Sequence, residues 1–191
     1  MRVKVAVLVS GFGSNLQALI DATHEEDYPG LIVLVISNRD EAYALTRARQ
    51  ADIPTRVLRH QDFADRISYD RALDGILQEH SVEFVCMAGF MRILSPWFTR
   101  KWAGRIINIH PSLLPAYKGL DTHARVLAAG EKRHGCSVHW VTEALDSGGI
   151  IAQLATDIRP SDTLESLKAR VHKLEHQLYP EALRLALMER D

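Results

Sequence analysis

The sequence has no surplus of charge of either sign: 23 Lys and Arg stand against 24 Asp and Glu, for a formal net charge of −1. A chain so balanced has no long-range field to draw it to nucleic acid or to an anionic membrane, so its partner is expected to be a small molecule. Cysteine is nearly absent. Cys86 in FVCMA and Cys136 in HGCSV lie within apolar runs and lack C-x-x-C or zinc-finger spacing, which predicts two reduced packing residues and a cytoplasmic location. No apolar run reaches the length of a membrane span. The opening MRVKVAVLVSGFGS has basic residues and a short apolar run but no small-x-small cleavage pattern, so it reads as a first strand. No linker, internal repeat or low-complexity stretch divides the chain, and 191 residues suffice for one core.

What is present is an alternation of short Val- and Ile-rich runs with longer helical patterns, the signature of a mostly parallel α/β sheet covered on both faces. VAVLV, LIVLVIS, FVCMA and RIINI are the clearest strands. NLQALIDA and ALTRARQA suit helices, and Phe63, Ile67, Leu73, Ile76 and Leu77 recur at roughly helical spacing across DFADRISYDRALDGILQE. SVHWV and IIAQLA read as two further strands around Gly148-Gly149, a hairpin that can extend the sheet antiparallel. Asp162 and Glu165 suit a capping box, and Leu164, Leu167, Val171, Leu174 and Leu178 predict a last helix up to Pro180.

Four motifs could carry chemistry. In NIHPSLLPAYKG, Pro111 and Pro115 forbid continued regular structure, so the strand RIINIH stops at His110. Asn108 and His110, two apart, project to one face at its exit while Ile109 points the other way. An amide NH2 can donate to an oxygen that becomes negative and an imidazole can move protons, so the pair suits addition to a carbonyl. SGFGSNLQ, between a strand and a helix, suits an anion cradle, since Gly11 and Gly13 permit a tight turn and the next amides sit at a helix N-terminus. A plain strand-helix turn would read the same way. It is a poor dinucleotide fingerprint, because Leu16 stands where a third glycine belongs. In ALDSGGII, Asp146 is either an exposed turn aspartate or a carboxylate that pairs with an imidazolium. HKLEH, His172 to His176, matches a metalloprotease pattern by chance: its histidines leave the apolar stripe for an expected solvated face, with no third ligand downstream. His123, His134 and His139 follow no metal spacing either, and His139 could line a site or pack in its strand. No metal is expected.

Taken in order, SGFGSNLQ, AGFMRILSPWF, NIHPSLLPAYKG, SVHWVTEALDSGGII and EHQLYPEAL make the chain resemble the folate-dependent formyltransferases nearly end to end. The resemblance implies a single formyltransferase domain over residues 1–191 on a Rossmann-like sheet that binds no dinucleotide. It implies transfer of a formyl group from 10-formyltetrahydrofolate to the amine of glycinamide ribonucleotide in purine synthesis, without a metal. Asn108, His110 and Asp146 match the family's catalytic set. Gly13, Ser14 and Asn15, with Leu16 and Gln17 after them, match the loop that holds the substrate phosphate, and Glu175 a contact to the same substrate. Arg66, Met91, Arg92, Ile93 and Leu94, with Asn108, match the folate side. The chain departs from the usual pattern at Lys118 and Asp121 and in reading DSGG for D-G-G-P. A methionyl-tRNA formyltransferase is expected to carry a further basic domain, a formyltetrahydrofolate hydrolase a regulatory one, and a non-catalytic phosphosugar-binding module would not need Asn108 beside His110.

Overall fold

The computed structural model describes residues 2–189. Seven strands form one sheet in the order β3-β2-β1-β4-β5-β6-β7, with β1 Val3–Val9, β2 Gly30–Ser37, β3 Thr55–Val57, β4 Phe84–Met87, β5 Ile106–His110, β6 Arg133–Trp140 and β7 Ile150–Asp157. The first five run parallel and the last two are antiparallel, so the hairpin expected around Gly148-Gly149 does extend the sheet. The helices are α1 Ser14–Thr23, α2 Tyr43–Gln50, α3 Arg66–Glu79, α4 Pro96–Lys101, α5 Thr122–Ala128 and α6 Leu164–Met188.

The continuous apolar runs are explained by two cores. Val5, Val7 and Val9 of β1 pack with Leu16 and Leu19 of α1 and with Val171, Tyr179 and Leu183 of α6. Ala6 and Leu8 face the other way, onto Tyr69, Leu73 and Leu77 of α3 and onto Phe98 and Trp102. A strand buried on both faces has no polar face to alternate with. Strand order reverses between β1 and β4, the place where open α/β sheets form a crevice beyond their carboxyl ends.

Several local expectations need correction. Thr163, not Asp162, caps α6: its side chain accepts from the Ser166 N–H and Ser166 returns the contact, so the box is Thr163/Ser166 rather than Asp162/Glu165. Asp162 instead pairs with Arg170 of the next turns. The helix also continues through Pro180 to Met188. An interior proline costs roughly 3 kcal/mol, but Ala182, Leu183, Ala186 and Leu187 beyond it are all buried, and each buried leucine contributes about 1.5–3 kcal/mol. Phe63 lies outside α3, in the wake of a short 3-10 turn at His60–Asp62, and Ile67 is exposed. The inward stripe is Tyr69, Leu73 and Leu77, joined by Asp70 and Asp74. Those two acids are tolerated inside because Asp70 accepts from the Ser95 N–H and Asp74 from Lys101 and the Trp102 indole.

Candidate active site

The exit of β5 behaves as strand geometry requires. Ile107 and Ile109 join one core, while Asn108 and His110 leave on the opposite face. His110 is buried, with its Nδ1 3.4 Å from Oδ2 of Asp146 and its Nε2 2.9 Å from the Tyr117 carbonyl. Both ring nitrogens therefore face acceptors, an arrangement that an imidazolium satisfies fully and a neutral ring only in half. Asp146 lies in the β6–β7 turn with φ of 47°, the left-handed region, and it is buried rather than exposed as the turn reading had it. Its Oδ2 also accepts from the Gly119 N–H at 2.9 Å. The 111–121 loop thus reaches both partners: a carbonyl to the histidine, an amide to the carboxylate. Two of the three departures from the family pattern meet each other here, since Lys118 Nζ donates to Ser147 Oγ at 2.5 Å.

Beside this cluster opens a recess lined by Met87, Arg92, Ile93, Leu94, Asn108, His139, Val141 and Asp146. Of the residues expected on the folate side, Arg92, Ile93, Leu94 and Asn108 line it. Met91 is exposed, though its N–H is fixed by Ser10 Oγ, and Arg66 stands at the start of α3 outside the lining. Arg92 lies 4.5 Å over the Tyr69 ring, and its Nε is buried without a partner. A buried orphan donor on a recess is a group that a ligand can satisfy. Thr142, Ala144 and Leu145 close the same recess, and no sequence pattern pointed to them.

The glycine loop meets the β1 crevice. Gly13 caps α1 with φ of 78°, and a Cβ there would lie 2.6 Å from Ala44 Cβ, so glycine is required for both backbone and space. The amides of Ser14, Asn15 and Leu16 begin the helix without intrahelical partners. The Leu16 side chain is core, so only its N–H faces outward. Gln17 is already engaged: its N–H donates to the Gly13 carbonyl, and its side chain meets Asp21 and Arg47.

Glu175 of α6 completes this side, accepting from Asn15 Nδ2 at 3.3 Å across 160 residues. Burial raises its carboxyl from 4.5 to about 7. The folded chain therefore keeps a proton that the unfolded chain releases near 4.5, and stability falls as pH rises from about 4.5 to about 7. Glu175→Gln removes that titration. Its melting temperature is expected to exceed the parent's by on the order of 5 °C at pH 8 and by much less at pH 5. Equal gains at both pH values in thermal melts would contradict the assignment.

HKLEH does not lie on a solvated face. His172 and His176 are half-buried and extend a row of rings from His134 through His123, with His123 Nδ1 2.9 Å from His134 Nε2 and ring centroids 6.4 Å apart at both later steps. Burial holds His123 and His134 down to about 4 and lowers His172 and His176 as well, so the row is neutral at pH 7. Among the described residues no group of three or more His, Cys, Asp or Glu side chains could hold a metal ion. Cys86 and Cys136 are free and buried.

An amide donor, an imidazole and a buried carboxylate gathered where the sheet opens suit an enzyme that works at the carbonyl of a small molecule. The chain belongs to the formyl transferase family, whose model matches residues 3–183. It is 47% identical over 177 residues to the phosphoribosylglycinamide formyltransferase of Haemophilus influenzae, covering 93% of this chain and 84% of that protein. It is 50% identical to the trifunctional purine biosynthetic protein adenosine-3 of Bos taurus over 184 residues, 96% of this chain but 18% of that protein. The solved phosphoribosylglycinamide formyltransferase of Coxiella burnetii superimposes with a TM-score of 0.94 at 48% identity, over 100% of this chain and 89% of that one.

Proposed function

We propose that residues 1–191 act as one formyltransferase unit that moves the formyl group of 10-formyltetrahydrofolate to the amine of glycinamide ribonucleotide, in the purine synthesis of the cytoplasm. The observation that carries this reading is the cluster of Asn108, His110 and Asp146 on the Arg92-lined recess, at the same end of the parallel strands where the glycine loop opens α1 with the amides of Ser14, Asn15 and Leu16. The recess would take the folate, with Arg92 as an unsatisfied donor and Ile93, Leu94 and Val141 as apolar walls. The α1 amides would take the phosphate, and Glu175 with Asn15 would contact the rest of that substrate.

The chemistry follows from these positions. The unprotonated amine attacks the formyl carbon, forming a C–N bond and an oxyanion to which Asn108 donates. The bond to the folate nitrogen then breaks, that nitrogen takes a proton, and the attacking nitrogen gives one up. Asp146 holds Nδ1 of His110, so the Nε2–H that rests on the Tyr117 carbonyl is the one that can be redirected to the leaving nitrogen. No protein nucleophile takes part. The 111–121 loop, fastened to His110 and Asp146, would keep water from the formyl group.

The test is formyl transfer measured with glycinamide ribonucleotide against formyl loss without it, after exhaustive chelation. Amine-dependent transfer at undiminished rate is expected. Formyl release that ignores the amine would reject the reading, and a loss restored specifically by zinc would reject the metal-free chemistry.

A further inference from the structure

Antiparallel pairing of β5 with β6 puts His139 directly opposite Asn108. Residues so opposed bring their Cβ atoms within about 5 Å on one face of the sheet. On its other side β6 pairs with β7, whose Ile151 is skipped where the register shifts between Val138 and His139, while the pairing of His139 with Asn108 is regular. His139 is buried, and its Nδ1 lies 2.9 Å from the Trp140 carbonyl, an oxygen that can only accept. Nδ1 therefore carries the proton. Burial lowers the imidazolium's pKa, so the ring is neutral and Nε2 is a bare acceptor. That nitrogen lies 3.4 Å from Nδ2 of Asn108. Only the NH2 end of an amide can face a bare nitrogen; the carbonyl end would set two lone pairs against each other.

We propose that His139 is a positioning residue: by accepting one N–H of Asn108 it fixes the amide so that the other N–H faces the reacting carbonyl oxygen. The inference rests on the reading of Asn108 as oxyanion donor. Without His139 the amide could turn its own oxygen toward the developing negative charge, and stabilisation would become repulsion. The same bare nitrogen stands 3.7 Å from Oδ1 of Asp146 and donates nothing to it, which leaves that carboxylate's charge to His110.

The experiment is a double-mutant cycle on the full chain with His139→Leu, His139→Gln, Asn108→Ala and the His139→Leu/Asn108→Ala pair. His139→Leu is expected to lower kcat by about ten- to a hundredfold, less than full loss of an oxyanion donor, with KM for both substrates within about twofold. His139→Gln supplies an amide oxygen as acceptor and is expected to recover most of the rate. In the Asn108→Ala background His139→Leu should cost less than about twofold further, because the group it orients has gone. Losses that multiply in full would overturn the proposal while leaving Asn108 as donor. Unimpaired kcat in His139→Leu would do the same, and if that variant fails to fold, a His139→Gln rate as low as Asn108→Ala overturns it instead. Near-full turnover in Asn108→Ala would remove the oxyanion reading and this proposal together.

Discussion

Asn108→Ala is expected to lower kcat by about a hundred- to a thousandfold, the usual consequence of removing one preorganised oxyanion donor. The half-exposed amide sits at the end of a strand whose neighbours Ile107 and Ile109 are buried, so truncating it leaves the packing of β5 in place. Folding should therefore persist, and with it the affinity for glycinamide ribonucleotide. His110→Ala should lower turnover comparably, because the group that protonates the leaving nitrogen is lost. It also strips the Tyr117 carbonyl and Asp146 of their shared partner, so some loosening of the 111–121 loop is expected with it. Circular dichroism and equilibrium binding of each substrate separate a catalytic loss from a folding one. Near-full turnover in both variants would reject the assignment.

Asp146→Asn should have the next largest effect. The carboxylate 3.4 Å from Nδ1 holds that ring nitrogen and leaves Nε2 toward the Tyr117 carbonyl. An asparagine can turn its NH2 toward Nδ1 and lose that hold on the ring. The rate should fall by roughly tenfold or more. Because an asparagine oxygen can still accept from the Gly119 N–H, the melting temperature should change little despite the burial of this residue. The direct test is kcat and KM for both substrates in parent and variant. An unchanged kcat would return Asp146 to a purely structural role in its turn.

Local covalent and steric rules determined much of what the sequence alone could say. Two prolines after His110 had to end a strand, period-two geometry had to put Asn108 and His110 on one face, and Gly11 and Gly13 had to permit a tight turn before α1. Each depends on neighbours within a few residues. What the tertiary structure decided depends on pairings over long separations. Asp146 looks like a turn aspartate until the sheet brings it to His110 and the Gly119 N–H buries it. Glu175 is one polar residue on a helix until α1 presents Asn15, 160 residues away, and HKLEH is a helix face until α5 and β6 supply His123 and His134. The extent of α6 past Pro180 has a related reason: the area it buries beyond that residue outweighs a local breaker. The role of His139 lay furthest from view, because strand register and an antiparallel partner together set its ring against Asn108. Register is a property of the assembled sheet, and a shift of one residue would have turned the same histidine to the other face.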